Sequence, residues 1–370
     1  AAQDQGAGSN IFHEAAGNVA GLTLSLAVIK PIVYIHIMSD EHPNPHDLFF
    51  KSVFTRTEIV TGFIKHYLPK EITSHIDLST VSVDLESYVS REFKEYFSDV
   101  VAQMQFVDGT FGEVYFLFEH KKGPEKLARL QILNYEVQKW FKLIREDEYE
   151  GYLPIIIPVI VHHGRRRWRH SQEFADLFNL PSEDFRHYVP KLEHLLHDIS
   201  HIDEERFKTT TLLRIVQLIM KYIDHPEQTY KLPEIVSLLQ QLQDKDKITE
   251  YLALILQYVL RTGGVTIQQA KEIVREMPHG EETVETTAEI LRKEGEQRGE
   301  QRGEQRGKLE NSREMLLEAI SERFGSFSSD FLRRINSIES HETLKMLFKQ
   351  TFRASSLEEF REQVVRATDN

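Results

Sequence analysis

Residues 153–164 read LPIIIPVIVHHG, a continuous β-branched run of the kind that forms a strand buried on both faces. Such a strand needs packing layers above and below it, which constrains everything around it. HPNPHD (42–47) is a breaker cluster, and Asp47 or the residues just before it can cap a helix over LFFKSVFTRTEIVTGFIKHYL (48–68). Phe50, Val53, Phe54 and Ile64 recur there at helical spacing, and Pro69 ends the run. VSVDLESYV (81–89) alternates as a first strand. SDVVAQMQF (98–106) and GEVYFLFEHK (112–121) flank Asp108-Gly109, a hairpin signal. Residues 125–146 predict a helix with Leu127, Leu130, Ile132, Leu133, Val137, Phe141 and Ile144 as its apolar positions. Helix, three strands, helix and strand in that order predict a compact α/β unit.

Downstream of residue 172 the strand signals vanish. TTTLLRIVQLIMKYI (209–223) and KITEYLALILQYVLR (247–261) predict packed helices, so 38–171 is expected as the core and 172–290 as a helical region. Residues 291–308 carry the repeat GEQR-GEQR-GEQR-G. It predicts a solvated charged linker, or a helix whose glycine face admits a partner helix. Each glycine costs a helix about 1 kcal/mol relative to alanine. MLLEAISERFG and TLKMLFKQTF belong to a small helical unit, 309–370.

Residues 1–37 are expected to be an appended or upstream-derived extension, with an extra strand as the alternative, because MSDEHPNPHD from Met38 reads as a natural start. The apolar stretch 21–38 includes Lys30, Pro31 and His36, and it lacks a basic start and a small-residue cleavage site. No membrane segment or signal peptide is therefore expected. No cysteine is present, which excludes disulfides, thiolate zinc sites and cysteine nucleophiles and leaves Asp, Glu and His for any metal. The net charge of −13, from 58 acids against 45 bases, requires any nucleic-acid site to be a local basic patch on an acidic body.

One constellation carries chemistry. Glu119 and Lys121, two apart on a strand, point the same way. With a hairpin loop at 108–110, Val107 pairs with Phe111, and Asp99 then lies directly opposite Glu119 at about 5 Å between Cβ atoms. Facing carboxylates repel, and a divalent cation between them resolves the conflict. Magnesium suits such hard oxygen donors and activates water for attack on a phosphodiester. Lys121 lies beside the developing negative charge.

PHDLFFKSVF (45–54), YFSDVV (96–101), YFLFEHKK (115–122), LQILNYE (130–136) and IIIPVIVHHGRRRW (155–168), in that order, resemble the Rpn family of recombination-promoting nucleases, also labelled YhgA-like putative transposases. The resemblance covers roughly residues 43–290. It implies a PD-(D/E)XK restriction-endonuclease-like core, with a mixed central sheet flanked by helices, followed by an all-α C-terminal region. It also implies Mg2+-dependent cleavage of DNA in a bacterial cytoplasm, linked to recombination, mobile elements or phage defence. Carried over, Asp99 and Glu119 are metal ligands, the His120 carbonyl is a further ligand, Lys121 is the motif lysine, and Gln131 faces the metal. Tyr135 shares Gln131's helical face and reads as core packing. His46 and Asp47 match the family's N-terminal motif, and a helix cap explains them equally well. The residue before Asp99 is Ser98 rather than proline, a frequent departure.

HHGRRRWRH (162–170) ends the buried strand. Arg165, Arg166 and Arg167 suit phosphates and Trp168 suits stacking on a base, against the alternative of a solvated loop with a buried Trp. Lys122, Lys126 and Arg129 are expected to track a nucleic-acid backbone. His162 and His163 diverge on a strand, which argues against a zinc ion shared by both. The expected function is a DNA endonuclease of low sequence specificity, self-associating through its helical tail. The competing readings are a non-catalytic interaction protein and a strand-transfer transposase built on three carboxylates.

Overall fold

The computed structural model describes residues 44–84, 97–119, 127–145, 151–164, 166–207, 209–224 and 228–368, without the side chains of 97, 98, 118, 119 and 228–230. The expected extension 1–37 lies outside the described residues. The chain divides into two compact units, 1–288 and 289–370.

In the first unit, α1 (Pro45–Phe54) is capped by Asn44, whose side chain accepts the backbone N–H of His46, with Pro45 at the first helical position. A single helix over 48–68 was expected. The chain breaks at Arg56, which is extended, and α2 (Thr57–Tyr67) begins anew. Two short helices let Phe49, Phe50, Val53 and Phe54 on one, and Ile59, Val60, Phe63 and Ile64 on the other, reach the same core. The break is fastened by the Arg56 guanidinium, which pairs with Glu250 and lies over the Tyr251 ring. A short turn, α3 (Lys70–Thr73), follows Pro69.

The sheet has five strands in sequence order. They are β1 (Ile76–Asp84), β2 (Phe97–Phe106), β3 (Phe111–Glu119), β4 (Ile155–His162) and β5 (Leu195–Asp198). β1, β2 and β3 are antiparallel neighbours, and β3, β4 and β5 run parallel. The parallel step from β3 to β4 carries the helix α4 (Ala128–Arg145), as a crossover requires. β4 is buried on both faces as its composition predicts. Val159 and Val161 enter one core with α1 and α2, while Ile156 and Ile160 enter a second core with α4. β5 corrects the reading of 172–290 as strand-free: LLHD is too short to show a period, and pairing with β4 makes it a strand.

Helices α5 (Thr211–Tyr222), α6 (Gln228–Gln240), α7 (Lys245–Thr262) and α8 (Ile267–Val274) pack their apolar faces into the first core. A 45-residue helix, α9 (Gly280–Phe324), contains the Gly-Glu-Gln-Arg repeat. Its glycines 295, 299, 303 and 307 have open space where a Cβ would stand. The second unit is all helical, with α10 (Ser329–Asn336), α11 (His341–Thr351) and α12 (Leu357–Thr368) joining the end of α9 around Leu316, Ile320, Leu344, Leu347 and Phe360.

Candidate active site

The β2–β3 hairpin sets the geometry. Phe106 N–H donates to the Thr110 carbonyl at 2.8 Å, and Gly109 N–H donates to the Phe106 carbonyl at 2.8 Å. Gly109 is left-handed at φ 87°, which a glycine adopts without the steric cost a Cβ would bring. The Asp108 carboxylate accepts both the backbone N–H of Thr110 (2.9 Å) and its hydroxyl (2.7 Å). The loop is therefore 107–109, one residue earlier than expected. Gln105 pairs with Phe111, Asp99 with Leu117, and Phe97 with Glu119.

This corrects the expectation that Asp99 faces Glu119 directly. The slip moves the partner by two positions, so the period of two is preserved. Asp99 and the Glu119 position still share a face, as diagonal neighbours about 7–8 Å apart. The side chain of Glu119 is not described, and His120, Lys121, Lys122 and Lys126 lie outside the described residues.

Asp99 is 3% exposed and shares its face with Val101, Tyr115 and Leu117. α4 closes over that face. Its inward residues are Gln131, Ile132, Tyr135 and Lys139, whereas Phe141 and Ile144 are 54% and 55% exposed. The expected apolar face is thus largely turned outward, and a polar one packs on the sheet. Tyr135 is core, as read, but polar core: its ring stacks on Tyr115 with centroids 3.7 Å apart, and its hydroxyl donates to Glu113 Oε2 at 2.7 Å. Lys139 Nζ meets Glu113 Oε1 at 2.9 Å. Burial, and then the negative charge of Asp99, raise the Tyr115 phenol far above its ordinary range, and the Gln131 amide offsets part of that. Gln131 therefore hydrogen-bonds Tyr115, which lies beside Asp99. Burial also pushes Glu136 up to about 7.

His162 is aligned with Glu119 across β3–β4, buried, with Nε2 at 2.8 Å from the Arg166 carbonyl. Sequence reasoning gave no role to Glu113, Tyr115, Lys139 or His162. The signal was available in two periods. Glu113, Tyr115 and Leu117 alternate in phase with Glu119, and Lys139 follows Tyr135 by one helical turn.

The basic residues divide. Arg129 is 2% exposed and donates to the Glu173 carbonyl, so it is an internal strut and not a backbone-tracking cation. Arg166 and Arg167 are exposed, and Arg165 lies outside the described residues. Trp168 packs against the second core with its ring edge-on to His162 at 5.4 Å, and its backbone N–H donates to Asp198 at 3.2 Å. Trp168 is half-buried there, between the stacking reading and the buried-Trp alternative. Asp47 forms an i,i+4 ion pair with Lys51 at 3.9 Å. His46 does not join Asp99. Its Nδ1 lies 2.7 Å from the Tyr258 hydroxyl, within the first core on the other side of the sheet.

The arrangement offers one buried carboxylate oxygen donor on a strand, a second acidic position one diagonal step away, and a neutral amide and phenol beside them. Hard oxygen donors of this kind suit Mg2+.

Residues 44–250 match the model of a family described as putative transposase, YhgA-like. The chain is 25% identical over 259 residues to the inactive recombination-promoting nuclease-like protein RpnE of Escherichia coli (strain K12), covering 69% of this chain and 83% of that one. It is 25% identical over 258 residues to the recombination-promoting nuclease RpnA of the same strain, covering 68% and 85%. It is 24% identical over 249 residues to the recombination-promoting nuclease RpnD of Escherichia coli O157:H7, covering 66% and 93%. No solved structure matches. Among the described residues, no helix is long and apolar enough to cross a membrane.

Proposed function

The chain belongs to the family of YhgA-like putative transposases, and on that premise we propose that it is a Mg2+-dependent DNA endonuclease with a PD-(D/E)XK core and little sequence specificity, acting in recombination. The observation that carries this reading is Asp99: a buried carboxylate on the face shared by Tyr115 and the Glu119 position. Three relatives at 23–25% identity named as recombination-promoting nucleases support it.

In this reading Asp99, Glu119 and the His120 carbonyl hold the ion. When bound, Mg2+ supplies Lewis acidity and neutralises phosphate charge. Lys121 lies next to the scissile phosphate and offsets the charge that develops there. Gln131 hydrogen-bonds Tyr115 from α4, and Tyr115 lies beside Asp99. Arg166 and Arg167, exposed beyond β4, contact phosphates together with Arg165, Lys122 and Lys126. The helical tail serves self-association or control.

The test is nicking of supercoiled plasmid by the purified chain. Cleavage that requires Mg2+, stops with EDTA, and is lost in Asp99→Asn while the variant keeps its thermal melt supports the reading. Equal cleavage by wild type and Asp99→Asn refutes it. Two relatives carry the word inactive in their names, which favours a second reading: a folded but non-catalytic binding protein. That reading predicts DNA retention without nicking in every metal tested.

A further inference from the structure

We propose that His46, His163 and Asp224 form a second metal site, which takes a transition ion of the zinc class and lies on the opposite side of the sheet from Asp99. The three residues come from the first turn of α1, the loop that follows β4 and the turn that follows α5. Chain positions so far apart meet only because those three elements share one core. One nitrogen of each histidine and a carboxylate oxygen of Asp224 all lie within 4.8 Å of one another. His46 Nε2 is 4.0 Å from Asp224 Oδ1, and the two imidazole centroids are 5.0 Å apart.

The second nitrogen of each ring is held in the way that metal-binding histidines are held. His163 Nε2 lies 2.7 Å from the Met220 carbonyl. A carbonyl only accepts, so Nε2 carries the hydrogen and Nδ1 is the ring atom an ion would take. His46 Nδ1 lies 2.7 Å from the Tyr258 hydroxyl, and Nε2 lies toward Asp224; binding an ion at Nε2 requires the tautomer in which Nδ1–H donates to that hydroxyl. Tyr258 is itself fixed, stacked on Phe49 with centroids 4.2 Å apart and rings 5° from parallel. Both rings are thus oriented by groups that do not touch the ion.

The donor set decides the metal. Two imidazoles and one carboxylate match zinc and its neighbours, whereas Mg2+ prefers oxygen throughout. Tetrahedral zinc with bonds of about 2.0–2.1 Å brings its donors to about 3.3 Å from one another. The observed spacing closes to that by side-chain movement of about 1 Å, within the reach of rotamer adjustment. His163 is 2% exposed, while the side chains of His46 and Asp224 are 14% and 18% exposed. The partial exposure of His46 and Asp224 is where solvent would supply a fourth ligand. A bound ion would tie the start of α1 to the ends of β4 and α5, and so add to stability by binding only the folded chain.

The full-length chain, stripped with chelator and dialysed, is titrated with Zn2+ by calorimetry and its metal content is measured after gel filtration. Wild type retains one equivalent, and its melting temperature rises on Zn2+ addition. His46→Gln, His163→Gln and Asp224→Asn each lose at least tenfold in affinity, and the rise disappears. Asp99→Asn keeps the equivalent, so this site stands or falls separately from the nuclease centre. Zinc bound equally by wild type and all three variants, or lost in Asp99→Asn, overturns the proposal. If a variant does not fold, wild type decides alone. Retention of one equivalent together with the strong visible absorption of low-coordinate Co2+ supports the site, and absence of either overturns it.

Discussion

Asp99 stands opposite Leu117 in the β2–β3 ladder, and Glu119 falls one diagonal step beyond it on the same face. A hairpin loop one residue earlier than its Asp-Gly signal suggests produces this offset. Strand parity survives it, because a slip of two positions returns every side chain to its own face. The acidic pair therefore remains compatible with one ion while no longer being forced together.

Gln131 is buried and hydrogen-bonded to Tyr115, the neighbour of Asp99, without belonging to the acidic pair. Gln131→Leu fills the same space and is expected to leave the melting temperature within a few degrees. Loss of a group that orients a metal-binding residue typically costs about 10–100-fold in metal affinity or activity. Plasmid nicking across a Mg2+ titration checks this. Unchanged activity at all Mg2+ concentrations would remove Gln131 from the site.

The Glu113–Lys139 pair is buried on the same face, with Tyr135 completing the network. Breaking such a pair on one side strands a charge and costs about 3–5 kcal/mol, whereas replacing both partners is far less costly. Lys139→Met should lower stability by that amount in urea denaturation. Glu113→Gln with Lys139→Met should recover most of the loss. An additive double variant would show that the two charges do not interact.

Stability should fall in acid through His197. Burial holds this imidazole down to about 3, among the rings of Phe63 and Tyr67. The unfolded chain takes up its proton near 6.5 while the folded chain does not, so the unfolded state binds more protons between the two values. Stability is therefore full above about pH 6.5 and declines as pH falls toward 3, by about 2–3 kcal/mol at pH 4.5. His194, held down to about 4 by burial and then by Arg129, adds in the same direction. Urea midpoints for wild type and His197→Phe from pH 7 to pH 4.5 provide the check. The variant's curve should be the flatter, and parallel curves would exclude His197 as a source of the slope.

The repeat glycines sit in α9 with open space around them. Gly299→Ala and Gly303→Ala should each raise helix stability by about 1 kcal/mol, since a Cβ meets nothing within the chain. Circular dichroism melts and sedimentation velocity measured together separate two meanings of that space. A more stable helix with unchanged mass marks a solvated segment. A loss of mass marks the glycine face as the contact between copies.

Much of this molecule is local in origin and was legible as such. The β-branched run Ile155–Val161 specified a strand covered on both sides, and Val159 and Ile160 do enter different cores. Alternation along β2 and β3 placed Asp99 and Glu119 on one face in the expected register and in one slipped by two. Other features depended on groups distant in sequence. Arg129 looked like a surface cation until the Glu173 carbonyl claimed it, and α4 turned its polar side inward because Tyr115 and Glu113 waited there. LLHD became β5 only through β4.

The sequence by itself determined the period of β2, β3 and β4, and so which residues of each strand share a face, because side-chain period is a property of a few consecutive residues. Only the tertiary structure decided that Leu117 faces Asp99 and that His46, His163 and Asp224 converge. Loop closure and core packing set those distances, and both join residues that are far apart in the chain.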